Sequence, residues 1–419
     1  MKRIFLILAL LLAAPLWASM SVETGVCTAN TGSATTTCTT AFQGKAVKLW
    51  SHVNTAEGES GGEARFAYGF SDGTHHWSVG WGGLDASATT NAHKVDDDTS
   101  PLHGISNSGT AQFVITGVAF NATPNMVLTF SATPGSAWKI YYELYGGADI
   151  TNAFVGSNNT AILASTGTRS ITAPGFQGDV VFFASSAQAG IEATSPGGIN
   201  LGMAISNAKQ WALSTFLAHN ASTSANVNGM SKLRNDECLI GDDGTNADDF
   251  ILSFTQWTPT GFDLSQTHAS WGPLYMGFLV LKGGRWDAGV AAKPATATPQ
   301  NFSTSFTPKV LGLLMSSPAA LNTYTSECTT TVGAYDGTHT SYAGAFHNDA
   351  INTVAKSAGA STKVLREINY TAEASGTALG TTSTITWGAT GMAYQVAWWA
   401  AGDNAAAPGP GIVWHHCTP

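Results

Sequence analysis

The segment Gly58-Glu59-Ser60-Gly61-Gly62 fits the pattern Gly-x-Ser-x-Gly. In that pattern a serine on a strained strand-to-helix turn becomes a nucleophile once a histidine and a carboxylate are aimed at it. The chain would then be a secreted serine hydrolase acting through Ser60. Here the pentapeptide sits in a Gly-rich connection ahead of a strand, which a flexible loop explains as well. His75-His76 beside Asp72 could hold a metal, but neighbouring strand residues face opposite ways and would not share one ion. Asp242, Asp243, Asn246 and Asp248 form a dense set of oxygen donors of the kind calcium takes. Their spacing is not that of an EF-hand, and Asp and Asn also favour turns in their own right. Trp414-His415-His416-Cys417 offers donors for a softer metal, with a tail strand or a disulfide as the plainer reading. Trp77, Trp81, Tyr141 and Tyr145 lie on strands with one face expected outside, where rings could stack on sugars or on another partner.

The elements that carry these residues read as strands. Trp138 to Tyr145 alternates: Trp138, Ile140, Tyr142 and Leu144 face one way, and Lys139, Tyr141, Glu143 and Tyr145 the other. Period two with aromatic and β-branched residues marks a half-buried strand. Asp72-Gly73 and Asp336-Gly337 sit between such runs and signal hairpins, whose type I′ turn needs positive φ at both central residues. Leu201 to Leu217 and Ala350 to Glu367 carry local helical character. The first occupies the place of a hairpin and is read as strand; the second admits a short helix.

Three stretches share landmarks at fixed offsets, and internal repeats decide architecture before any other feature. Phe42-Gln43-Gly44-Lys45-Ala46-Val47 recurs at Phe176 and, more loosely, at Phe306, with starts 134 and 130 residues apart. Thirty residues after each Phe stand Asp72-Gly73-Thr74-His75, Ser206-Asn207-Ala208-Lys209 and Asp336-Gly337-Thr338-His339. An aromatic or apolar strand ending in glycine closes each unit, at Gly147, Gly284 and Gly402. The expected fold is all-β: three tandem antiparallel β-sandwich modules, jelly-roll-like, over 20–147, 148–284 and 285–402, with a tail over 403–419.

Composition bounds what such a protein does. Only 11% of the 419 residues are charged, against roughly 25% in an average soluble domain. The 46 glycines and 13 tryptophans are in excess, and this much apolar content argues against disorder. Lys2 and Arg3, the apolar run Ile4 to Leu12 and a small residue at Ala18 read as a signal peptide over 1–18. No other run is long enough to span a membrane. Its removal would take two basic residues from a chain whose net charge is already −9, which disfavours nucleic acid as a partner. All five cysteines lie beyond the signal, and an exported chain permits disulfides. Cys27 and Cys38 are expected to pair across a hairpin; Cys328 with Cys417 is a weaker pairing.

The landmarks Phe306-Thr307-Pro308-Lys309-Val310-Leu311, Ser71-Asp72-Gly73-Thr74 and Tyr145-Gly146-Gly147 resemble those of tandem β-sandwich modules in tailed-phage virion proteins and related exported bacterial surface proteins. The resemblance implies a structural role in a particle or surface and transfers no catalytic residues. The expectation is a non-enzymatic structural or adhesive protein of a virion or extracellular assembly, exported or at the cell surface. It would act by self-association into an oligomer or polymer and by surface display. The alternatives are a secreted lectin-like protein binding surface glycans through Trp77, Trp81, Tyr141 and Tyr145, and the serine hydrolase. Calcium at Asp242, Asp243, Asn246 and Asp248 is the one cofactor suggested, and no membrane span remains after signal removal.

Overall fold

The computed structural model describes residues 19–404 apart from 62, 85–90, 163, 192–193, 195, 219–228, 243, 245–246, 271, 295–298, 317–319, 326, 349–354, 367–374, 380–383 and 388–394. Among the described residues the chain is all-β, sandwich-like and antiparallel, with 31 strands in six sheets and no helix.

The first stretch holds β1 (Met20–Thr28), β2 (Thr35–Thr39), β3 (Gly44–Ser51), β4 (Gly58–Gly61), β5 (Glu63–Ser71), β6 (His76–Leu84), β7 (Ala92–Asp97), β8 (Leu102–Ile105), β9 (Ala111–Asn121), β10 (Asn125–Phe130) and β11 (Lys139–Gly147). The second holds β12 (Asn152–Ile162), β13 (Gly167–Ile171), β14 (Val180–Ser185), β15 (Asn200–Ser206), β16 (Lys209–Leu217), β17 (Gly229–Arg234), β18 (Leu239–Asp242), β19 (Asp248–Thr258), β20 (Gly261–His268) and β21 (Leu274–Lys282). The third holds β22 (Arg285–Ala292), β23 (Pro299–Gln300), β24 (Val310–Met315), β25 (Glu327–Tyr335), β26 (Thr340–Asn348), β27 (Ala355–Ala360), β28 (Leu365–Arg366), β29 (Ser375–Leu379), β30 (Thr384–Trp387) and β31 (Gln395–Gly402).

Each stretch supplies one large and one four-stranded sheet, in matching order. The large sheets run β1-β11-β3-β5-β6-β7, β12-β21-β14-β15-β16-β17 and β22-β31-β24-β25-β26-β27, and the small ones β2-β10-β9-β8, β13-β20-β19-β18 and β23-β30-β29-β28. We call these sheet pairs I, II and III. Meanders such as β3-β5-β6-β7 and β8-β9-β10 dominate, where a jelly roll has two Greek keys. The Leu201 to Leu217 stretch is the hairpin β15–β16. The described part of 350–367 is strand, not helix, in β27 and β28.

Alternation explains the packing inside each pair. In pair I, Ile140, Tyr142 and Leu144 of β11 meet Ile115 of β9 and Met126 and Leu128 of β10 in one buried cluster between the two sheets. Pairs II and III have corresponding clusters around Phe262 and Phe278 and around Trp398 and Leu313. The other face of β11, expected outside, is also buried. Tyr141 and Tyr145 join Trp50, Trp77 and Trp81 of pair I, Phe182 and Trp211 of pair II, and Trp399 and Leu314 of pair III in a single core. The three large sheets thus turn their second faces onto one another. A strand covered on both faces needs apolar side chains on both, which accounts for the scarcity of charge.

The Cys27–Cys38 disulfide is present. It ties β1 of the large sheet to β2 of the small one, so it staples two layers and does not cross a hairpin within one sheet. Cys238 and Cys328 are buried free thiols, and burial pushes both thiols well up from the usual range. The signal segment 1–18, residues 405–419 of the tail with Cys417, and the Trp414–Cys417 cluster lie outside the described residues.

Candidate functional site

The three hairpins that follow each Phe landmark sit at the contacts between sheet pairs. The turn at Asp72-Gly73 has positive φ at Gly73 alone, and that at Asp336-Gly337 at Gly337 alone. The expected type I′ geometry is therefore absent. Instead the aspartate carboxylate organises the turn: Asp72 Oδ1 accepts from the Thr74 and His75 amides, and Asp336 Oδ1 from those of Thr338 and His339.

The second carboxylate oxygen leaves the hairpin. Asp72 Oδ2 accepts from the Val155 amide of β12 in pair II at 2.9 Å, and from His75 Nδ1. Asp336 Oδ2 accepts from the Thr24 amide of β1 in pair I at 3.0 Å, and contacts His339 Nδ1. Thr24 faces Glu143 and Val155 faces Leu279, which are matching ladder positions. The hairpin of pair II lacks the aspartate and has Lys209 where the others have histidine. Its Nζ lies 2.6 Å from Asp287 Oδ1 on β22 of pair III, and the same oxygen accepts from the Ala288 amide. Ala288, facing Trp399, is the third matching position. So I clips II, II clips III and III clips I, each through a carboxylate, a histidine or lysine nitrogen and one strand amide. In the II–III contact the carboxylate has moved to the receiving strand.

A second set of contacts runs around the same circle in the opposite sense. Eighteen or nineteen residues after each Phe landmark, the chain joins the edge strand of the preceding pair. Thr194 of pair II bridges Lys94 of β7, and Thr325 of pair III bridges Ser231 of β17. Ser60 of pair I pairs with Ser357 of β27, within the four-residue ladder of β4. Lys94, Ser231 and Ser357 face Trp81, Thr215 and Ala345, each 39 residues after its own Phe. An edge strand exposes unpaired backbone groups that invite association; here each such edge is met by the neighbouring pair.

Where the large sheets converge, pair I places the Lys48 ammonium 2.8 Å from Glu143 Oε2, with both side chains fully buried. The ammonium also lies 3.9 Å from the ring centre of Phe182 and 3.8 Å from that of Trp399. Glu143 Oε1 accepts from Tyr145 Oη at 2.5 Å and from Trp399 Nε1 at 3.1 Å. Burial pushes Lys48 down to about 8, against the opposing pull of the Glu143 charge. The register equates this pair with Phe182 facing Leu279 and Gly312 facing Trp399. One pair thus contributes an ion pair to an otherwise apolar meeting point.

The residues singled out from sequence fall as follows. Trp77, Trp81, Tyr141 and Tyr145 are each 0% exposed; the face expected outside is covered by the other sheet pairs, so it offers no surface for sugars. Trp77 Nε1 donates across the I–II contact to the Ala184 carbonyl, and Gly277 must be glycine because a Cβ there would lie 1.9 Å from the Trp77 ring. Asp248 is bound by Lys232, with Arg234 and the Tyr324 hydroxyl beside it, so its charge is already met by cations of the chain. Asp242 accepts from the Gly244 amide as a turn former. Asp243 and Asn246 lie outside the described residues. No group of three or more candidate metal ligands occurs among the described residues. Ser60 lies in an extended ladder and not at a strand-to-helix elbow. His75 faces Asp72 whereas His76 bonds Ser71, so the two imidazoles separate as expected.

Sequence reading gave Lys48, Glu143, Asp287 and Asp96 no part in the contacts between pairs. The signal was there for the first pair: aligned by landmark, Lys48 stands where the other repeats have Phe182 and Gly312. No known family model matches this chain, and no curated protein matches it.

Asp336→Ala is expected to cost about 1–3 kcal/mol, because it leaves the buried Thr24 amide without its acceptor. Asp336→Asn, which keeps an acceptor oxygen, should cost less. Urea midpoints of the two variants compare them; equal and negligible shifts would remove the carboxylate clip from the account.

Proposed function

We propose that the chain is a non-enzymatic structural protein in which three tandem β-sandwich modules, 20–147, 148–284 and 285–402, close into one rigid body. The body displays its outer loops on a virion or on an exported, extracellular or cell-surface assembly. The observation that carries this reading is the closed circle of contacts, with every clip and strand donation returning to its starting pair. Such closure fixes the relative positions of all exposed loops, and a rigid array of loops gives avidity to whatever repeats of it are assembled. The described residues whose types suggested chemistry support the same reading, because they lie in the clips, ladders and core. The apolar faces that low charge leaves for neighbours are taken up largely within the chain, so contacts with further copies fall to the outer sheets and loops.

Immunogold labelling of producing cells, and of particles they release, tests the proposal. Label at regular positions on a particle or cell surface is expected. Label confined to the soluble fraction overturns it, as does fluorophosphonate labelling of the purified protein that is lost in Ser60→Ala.

A further inference from the structure

The I–II contact differs from the other two at one buried position. Asp96 on β7 is 0% exposed, and its Oδ1 accepts from the Ser186 amide of pair II at 2.9 Å. Asp96 faces Val79; the matching positions face Leu213 and Ala343 and are Leu233 and Gly359. At Gly359 the space is filled by His52, which a Cβ would approach to 2.5 Å. Only the I–II contact therefore buries a carboxylate there. It lies beside the strand donation, since Lys94, two residues earlier, bridges Thr194 and donates through Nζ to the Ala187 carbonyl.

We propose that Asp96 makes the I–II contact a latch that holds more firmly in acid than at neutral or alkaline pH. The physical cause is burial. A carboxylate at a sheet-pair contact loses water on closure, and no cation lies within 4 Å of it among the described residues to compensate for that loss. The neutral acid closes without that penalty. Burial pushes the Asp96 carboxyl up to about 7, with the Ser186 and Gln188 hydrogen bonds and the Lys94 charge pulling the other way. The charged groups around it are Lys94 on its own strand and Asp249 of pair II, whose charge acts on Lys94. Its neighbour Asp97 is engaged elsewhere by His103 and Thr99. Burial would raise Asp97 too, but hydrogen bonds from His103, Thr99 and Ser100 hold it down to about 2.

The sign follows from linkage. A carboxyl whose folded pKa exceeds its unfolded value binds more protons when folded, so its contribution to stability falls as pH rises between the two values. For Asp96 that window runs from the ordinary aspartate value of 3.8 to about 7. Lys94 is pushed down by burial to about 8, so it stays charged in both states across most of this window and contributes little to the slope there.

Tm measured at steps from pH 5 to pH 8 on the full chain tests the latch. The wild type should lose stability across this range more steeply than Asp96→Asn, and Asp96→Leu, matching Leu233, should exceed the wild type at pH 8. Amide exchange should show the wild-type loss first at Lys94, Ser186 and Thr194. Parallel pH profiles for wild type and Asp96→Asn overturn the proposal. If the variants do not fold, the carboxyl ¹³C titration of wild-type Asp96 decides: a midpoint near 7 supports the latch, and one near 4 overturns it.

Discussion

Lys48→Met lowers the stability of the folded chain by about 3–5 kcal/mol, the cost of leaving a buried charge without its partner. The loss appears as a lower urea midpoint at an unchanged slope. Glu143 keeps Tyr145 and Trp399 as donors but loses the ammonium 2.8 Å away. Phe182 and Trp399 lose a cation set against their ring faces, an interaction that is stronger when desolvated. Adding Glu143→Leu should restore only part of the loss: apolar replacement of both members of a buried ion pair is often close to neutral, but here Glu143 also serves two further donors. The second repeat already makes this replacement, with Phe182 facing Leu279. Recovery falls short by about 1–3 kcal/mol for each of the two donors left unpaired, Tyr145 Oη and Trp399 Nε1. The double-mutant cycle reads the coupling directly. An interaction energy near zero would mean that the two charges act independently.

Trp399→Ala is the second large effect, at about 3–5 kcal/mol for a large aromatic removed from a core. The location of the loss matters more than its size. Trp399 belongs to pair III, but its ring packs on Phe182 and Trp211 of pair II and its indole nitrogen donates to Glu143 of pair I. Hydrogen exchange in the variant should therefore lose protection in β3 and β14 as well as in β24 and β31. Loss confined to β24 and β31 would show that the pairs are stable separately, and that their common core is a contact between finished units.

Much of the fold is legible in the sequence. The alternation of Trp138 to Tyr145 gives the strand, the landmark Phe residues give its repetition, and the glycines at 147, 283 and 284, all at positive φ, mark where the chain passes between pairs. The disulfide follows from composition and spacing. Which way each strand faces was harder to read. Period two separates two faces without saying that both are buried, so Tyr141 and Tyr145 look like surface until another part of the chain covers them. That cover comes from other sheet pairs, from residues such as Phe182, about 40 positions further on, and Trp399, about 250 positions further on. The clips are hidden for a related reason. Asp72 and Asp336 look like turn formers, and they are, but each uses its second oxygen on a strand amide that local sequence cannot name. Asp287 completes the set from a different element altogether.

The ladder between β4 and β27 joins residues about 300 positions apart, Glu59 with Ala358. At about 5–20 residues per second of synthesis, the segment 58–61 waits roughly 15–60 s before its partner has been made. Pair I can bury its own small-sheet core in that interval, yet its share of the common core and its donated strand stay without their last partners until the chain is almost complete. The last-made large sheet both receives the early strand and clips Thr24 of the first. Birth order therefore makes pair III the closing piece, and a chain truncated before residue 355 would be left with open edges and an exposed aromatic face. Quality control in the producing cell would then act on whether translation finished, more than on how well any one pair had folded.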